Sequence, residues 1–413
     1  MIASGSAGLV NSRALNRQPL VFVGLISYPL YLWHWPLLAF PFIVVGADPG
    51  ILIQATAVLA AVILAALTYL LIERPIRERR AGALWQFGLL SAFPAVVAGV
   101  FFFGAGVPSR SNIAPYVATS IDANRDKEWN YAQNDICNEQ FPYEQRREDW
   151  HFCILEKDAA PTLMLVGNSF ANHLFPGLAN MPELKNHNIL QFGICFPVIG
   201  VSFTAYRQGH PCHGANAVTE ADYVSGIIEK NPTIRYAIIN SPWPAFDNAG
   251  RSVKYTDMAV EGGVFRSNNP VHGETSYDAF MAGLDRRIAF VVEHGVQPVL
   301  FMATPQLPYP PETCLVSRPL KSADNDCRAI VRDEAAIHAR FREGVASLVS
   351  KYPTLRTFDA SAAVCGSEYC DLVQRNRLLL RDVGHLSVYG SGIVADAFVN
   401  WAKAEMPEIL NRQ

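Results

Sequence analysis

Between Leu20 and Gly46 the chain has no Asp, Glu, Lys or Arg, and its one histidine there is His34. Ile51 to Ile72 and Leu84 to Val107 carry no charged side chain at all. No other feature of the sequence restricts the fold so sharply. Each run is long enough to cross about 30 Å of hydrocarbon at about 1.5 Å per residue. In hydrocarbon every backbone N–H and C=O must be satisfied within the segment, which selects the helix. Three transmembrane helices are therefore expected within residues 1–107. The first reads as a membrane helix rather than a leader, because it lacks a small-residue cleavage site and two more apolar runs follow it.

Arginine placement orients these helices. Arg74, Arg77, Arg79 and Arg80 crowd the connection between the second and third runs, and Arg13 and Arg17 precede the first. The connection Ala47-Asp48-Pro49-Gly50 has no basic residue. By the positive-inside rule the N-terminus and the arginine-rich loop are cytoplasmic, and three crossings leave the rest of the chain outside.

That remainder has a different character. The 413 residues are 50% hydrophobic and 17% charged, but the apolar excess lies in the first hundred or so. Residues 108–134 are polar without a periodic run and read as a linker; residues 135–413 read as a globular domain. All eight cysteines fall there. An even number confined to one domain points to disulfides and an oxidising compartment, in agreement with the arginine count. Sequence does not fix their connectivity; the simplest pairing joins neighbours, 137 with 153, 195 with 212, 314 with 327 and 365 with 370. No Cys-x-x-Cys pair suggests zinc, and no metal is expected. A net charge of −3 argues against a nucleic-acid partner.

Within the domain, strand-like and helix-like segments alternate. Strands are expected at Thr162–Val166, Ile189–Gly193, Tyr236–Asn240, Pro298–Ala303 and Leu355–Phe358. Helices are expected from Ser169 past His173, and at Ala217–Lys230, Ser276–His294, Glu334–Ser350 and Ser387–Ala404. Such alternation predicts a three-layer α/β/α fold around a parallel sheet, with ligands at the strand C-termini. At one of those ends Leu163-Met164-Leu165-Val166 runs into Gly167-Asn168-Ser169. A serine at a strand–helix corner has an exposed hydroxyl and the free N–H groups of a helix N-terminus beside it. Near the chain end comes Asp382-Val383-Gly384-His385. Asp and His three apart on a turn can both face one nucleophile: His385 takes the proton of Ser169 and Asp382 holds the imidazole tautomer.

These two blocks, in this order, resemble the SGNH (GDSL-like) hydrolase family, whose first-block serine is the nucleophile and whose late Asp-x-x-His completes the triad. The common Gly-Asp-Ser-His of that family reads Gly167-Asn168-Ser169-Phe170 here. The resemblance implies an oxyanion hole made by Ser169 N–H, by Gly193 after the second strand and by Asn240 after the third, although the family's Gly-x-Asn-Asp context is missing around Asn240. Trp243 resembles a tryptophan common after this strand in acyltransferase-linked members, and is expected either to stack on a sugar or to pack in the core.

The membrane part carries a second resemblance. Ser27-Tyr28-Pro29-Leu30-Tyr31-Leu32-Trp33-His34-Trp35-Pro36 and Tyr69-Leu70-Leu71-Ile72-Glu73-Arg74-Pro75 resemble the closing helices of the acyltransferase-3 membrane family. His34, an ionisable group within a span, is a motif residue of unassigned duty. The matched stretch begins in the last spans of that family. The expectation is a fragment, a truncated gene, or missing helices supplied by another polypeptide. Together the two resemblances give the arrangement of bacterial surface-polysaccharide O-acetyltransferases of the inner membrane, with the second domain in the periplasm. Implied are acyl-CoA as the ultimate donor, no bound cofactor, membrane lipid around the helices, an acyl ester on Ser169, and a surface glycan such as lipopolysaccharide O-antigen or exopolysaccharide as acceptor. A membrane-anchored esterase uses the same serine chemistry and is the alternative. An inactive scaffold is the third reading, opposed by the intact Ser169, Asp382 and His385.

Overall fold

The computed structural model describes residues 17–45, 49–78, 129–144, 152–204, 210–253, 264–302, 304–307, 328–375 and 377–410, with a few isolated positions besides. The chain divides into two compact units, residues 1–118 with 317–325, and residues 119–316 with 326–413.

The first unit holds two long apolar helices. Helix α1 (Gln18–Val45) keeps its course through Pro29, Pro36 and Pro41. Helix α2 (Ile51–Arg77) contains a π-helical turn at Tyr69–Glu73. Both are long and apolar enough to cross a membrane. They meet along Ile26 and the small residues Ala57, Ala61 and Ala65, whose short side chains let the backbones approach. Trp33 donates its indole N–H to Thr68 Oγ1 at 2.9 Å across the pair. The ring of His34 bonds within its own helix, Nδ1–H donating to Tyr31 O at 2.8 Å. The third expected span, Leu84 to Val107, lies outside the described residues apart from isolated positions.

The second unit is built on a six-stranded sheet. Its strands are β1 (Cys153–Leu155), β2 (Leu163–Gly167), β3 (Ile189–Phe192), β4 (Tyr236–Asn240), β5 (Gln297–Met302) and β6 (Arg356–Asp359), in the order β1-β3-β2-β4-β5-β6. Strands β3, β2, β4, β5 and β6 are parallel. The sheet is not wholly parallel, as the alternation predicted: β1 joins the β3 edge antiparallel. Strands β2 to β5 read as largely apolar runs because both faces are covered. Along β2 the side chains alternate between two cores, Met164 and Val166 in one, Leu163 and Leu165 in the other. Helices α5 (Asn216–Lys230), α6 (Ser276–Glu293) and α7 (Ala339–Lys351) fill the first core with Val224, Leu284, Ile288 and Phe341. The second is closed by α3 (Ser169–Asn172), α4 (Phe175–Ala179) and α8 (Val388–Glu405) through Ala171, Leu174, Leu178 and Phe398. The helix expected over Glu334–Ser350 is interrupted: buried His338, with ψ of 7°, separates α7 from a short helix Val331–Ile337.

Two further features bear on the site. After β2 the chain goes to β3 on one side and then to β4 on the other, so the C-terminal end of β2 is a topological switch point. The expected linker over 108–134 ends earlier than its polarity suggested. Residues 129–134 belong to the second unit, with Cys153 N–H donating to Ala132 O and Asn134 N–H to Cys153 O, each at 3.0 Å. Disulfides Cys137–Cys153, Cys195–Cys212 and Cys365–Cys370 follow the neighbour pairing; Cys314 and Cys327 lie outside the described residues.

Candidate active site

The corner at the end of β2 is dictated by backbone crowding. Gly167 has φ of 146°, and a Cβ there would sit 1.9 Å from Asn240 O on β4, so only glycine fits. Asn168 then caps α3, its Oδ1 accepting the Phe170 N–H at 3.1 Å, while its amide donates to Ser241 Oγ at 3.1 Å. Asparagine in place of aspartate thus uses both ends of its side chain. Ser169 follows as the first helical residue, half-buried, at the switch point.

The partner loop is equally constrained. Arg381 N–H donates to His385 O at 2.9 Å, and Leu380 pairs with Leu386, which closes a tight loop over residues 381–385. Inside it Asp382 Oδ1 accepts the backbone N–H groups of Gly384 (3.0 Å) and His385 (2.7 Å). Ser387 caps α8 immediately afterwards, accepting the Gly390 N–H at 3.0 Å. The loop presents both side chains to Ser169. His385 Nε2 stands 2.7 Å from Ser169 Oγ, and His385 Nδ1 stands 2.9 Å from Asp382 Oδ2. A carboxylate accepts only, so Nδ1 carries the proton and Nε2 is free to accept one from the serine.

Electrostatics suit that assignment. Burial depresses the His385 pKa below its ordinary value; Asp382 pulls it up and Arg381 pushes it down further, with the balance downward. The imidazole is therefore neutral at neutral pH, as a base must be. Burial alone would raise Asp382, but hydrogen bonds and charge from His385 and the loop N–H groups outweigh it and hold the carboxyl far below the usual range. Phe170, where the resemblance has histidine, is buried and lays its ring 4.6 Å from that of His385. Beneath, fully buried His173 accepts the Leu386 N–H on Nδ1 at 3.1 Å, and burial holds its pKa well below the ordinary value. No group of His, Cys, Asp and Glu that could hold a metal ion occurs among the described residues.

A family model described as "SGNH domain (fused to AT3 domains)" matches residues 137–400. The chain belongs to this SGNH family. The periplasmic domain of a lipopolysaccharide acetyltransferase from Salmonella ser. Paratyphi A is similar in structure, with a TM-score of 0.41 and 16% identity over 60% of this chain and 85% of that one. No curated protein matches the sequence.

The SGNH domain places the other expected site residues differently. Gly193, with φ of 138°, turns against Gly167 O at the foot of the site, and its N–H makes a long bond of 3.4 Å to Phe152 O. Asn240 is buried and donates its amide to Phe170 O at 2.7 Å, bracing the nucleophile helix. Trp243 is fully buried, its indole N–H donating to Phe301 O at 2.7 Å and its ring stacked on Phe341. Core packing, the second of its two expected duties, is the one it performs, and the expectation of a sugar platform there is corrected. Sequence reasoning passed over Trp129, Tyr131, Asn172 and Arg381, which cluster beside the triad. Asn172, one helical turn after Ser169, and Arg381, next to Asp382, carried a positional signal; Trp129 lay in a segment assigned to a linker.

Proposed function

We propose that this SGNH protein is an O-acyltransferase of a cell-surface polysaccharide, and that Ser169 carries the acyl group, an acetyl in the simplest case, as an ester. The observation that carries this reading is the hydrogen-bonded chain Ser169–His385–Asp382 in a family defined by fusion to acyltransferase-3 domains. His385 takes the Ser169 proton as the hydroxyl attacks the incoming acyl carbonyl, and returns it to the leaving group. It then deprotonates the acceptor hydroxyl, which attacks the Ser169 ester and regenerates the serine. Ser169 N–H at the start of α3 faces the developing oxyanion; Gly193 joins it once its long bond to Phe152 O yields. Disulfides and two helices able to cross a membrane accord with a membrane-anchored periplasmic domain. The acyl group would come from cytoplasmic acyl-CoA through acyltransferase-3 helices.

One observation favours the esterase reading. Trp243, the side chain expected to stack on a sugar, is fully buried and not exposed at the site. An experiment separates the two. Ser169→Ala should lower turnover of an activated acetyl ester by about 10⁴-fold or more; unchanged turnover in a folded protein removes the triad. With wild type, surface glycans added to an acyl donor should give O-acylated sugar and less free acid. Free acid alone, with deacylation of acylated glycans, establishes the esterase.

A further inference from the structure

The two halves of the site come from opposite ends of the domain, and one short segment ahead of the fold touches both. Trp129 donates its indole N–H to Asn172 Oδ1 at 2.6 Å, and Asn172 Nδ2 donates to Tyr131 O at 3.0 Å and to Gln191 Oε1 at 3.0 Å. Asn172 is fully buried at the end of α3, so this pair of bonds ties the segment to the nucleophile helix. On its other side the segment grips the loop of Asp382 and His385. The Arg381 guanidinium lies 3.2 Å from the centre of the Trp129 ring, and its Nη1 donates to Tyr131 Oη at 3.3 Å. The Trp129 ring also stacks on Phe152 at 15° and stands 5.6 Å from the His385 ring. Downstream, Asn134 and the Cys137–Cys153 disulfide fix the segment to β1.

We propose that Trp129 and Tyr131 are positioning residues of the active site: they clamp Arg381 beside Asp382, cover His385, and hold the acid–base loop in register with the Ser169 helix. The proposal rests on the triad reading above. Arg381 is 7% exposed and pairs with Asp382 through Nε at 3.6 Å. An arginine so placed is kept there by a ring face and a phenol, since the Asp382 side chain is 41% exposed and cannot hold it alone. The charged and titratable groups acting on His385 are Asp382 and Arg381 from its own loop and His173 from beneath the nucleophile helix, while Tyr131 from the segment acts on Arg381 and Asp382. Removing Trp129 admits water to His385 and releases the Arg381 charge. Both changes act in one direction and bring the imidazole back up toward its ordinary value.

The test uses the full chain in detergent and two readouts across pH. One is kcat/KM on an activated acetyl ester. The other is the rate at which an alkyl fluorophosphonate labels Ser169, followed by mass. Trp129→Ala should move the acid limb of both profiles upward by about one pH unit and lower the plateau by about tenfold. Trp129→Phe, which keeps a ring under Arg381, should leave the limb in place. Tyr131→Phe removes only the oxygen that Arg381 reaches; it should slow labelling below the limb by a few-fold and stands as the test should Trp129→Ala not fold. A folded Trp129→Ala protein with wild-type limb and plateau, or Tyr131→Phe indistinguishable from wild type throughout, overturns the proposal and leaves the triad standing. A Ser169 that is not labelled in wild type overturns both.

Discussion

His385 is held between opposing influences, and the sign of their sum sets the working pH. As the base it must be unprotonated, so kcat/KM rises through its pKa from the acid side. Burial and Arg381 lower that pKa more than Asp382 raises it. The acid limb for an activated ester should therefore lie below the ordinary histidine value of 6.5. A limb at or above that value would mean that His385 is wetter or farther from Arg381 than the structure places it. Asp382→Asn should keep the fold, because the loop N–H groups still find an oxygen, yet lower kcat by about 10⁴-fold, because the wrong imidazole tautomer is then favoured. A loss of less than tenfold would reassign Asp382 to a purely structural duty.

At the scale of elements, the site depends on how two helices meet. Helix α4 continues from the Ser169 helix and α8 follows directly from His385. They touch at Gly177, whose N–H donates to Ser391 Oγ at 2.9 Å and whose missing Cβ would fall 2.2 Å from Ser391 O. Gly177→Ala must push the helices apart, with a cost of about 1–3 kcal/mol, and should lengthen the Ser169–His385 contact as well. Both the denaturation midpoint and kcat/KM should fall. Gly226 in α5 has nothing within 4 Å of a would-be Cβ, so Gly226→Ala should raise the midpoint slightly and leave the rate alone. Equal effects from the two substitutions would contradict this packing argument. The same scale explains what could be read in advance. Strands β2 to β5 were legible because burial on both faces makes each a largely apolar run; the edge strand β6 is buried only at Phe358. Strand β1 was not legible: three residues leave no period to read, and its place is set by pairing with β3 and by a disulfide. Ser169, Asp382 and His385 stood out because each sits in a local motif. Arg381 on Trp129 joins residues far apart in the chain, and no local pattern announces such a contact. Ser241-Pro242-Trp243 reads alike whether the indole turns to the cleft or to the core; only the packing of Phe341 decides it.

The whole molecule separates its apolar helices from its cross-links. The long apolar helices belong to one unit, and Cys137–Cys153, Cys195–Cys212 and Cys365–Cys370 all belong to the other. Their sequence separations are 16, 17 and 5 residues. On the chain-entropy account the two longer closures stabilise the domain by about 3 kcal/mol each and the short one by about 2. Together that is comparable with the net stability of an ordinary domain, about 5–15 kcal/mol. A domain so cross-linked is marginal where thiols are kept reduced, which is compatible with a membrane-anchored domain on the oxidising side of a membrane. Two measurements follow. In protein taken from its native compartment and denatured without reductant, an alkylating reagent should leave these six cysteines unmodified. Reduction under native conditions should lower the denaturation midpoint of the domain by tens of degrees or abolish its cooperative transition, read by the fluorescence of buried tryptophan. Wild-type melting with the thiols shown by mass to be reduced would mean that the two hydrophobic cores suffice without the cross-links, and the compartment argument from stability would fall with it.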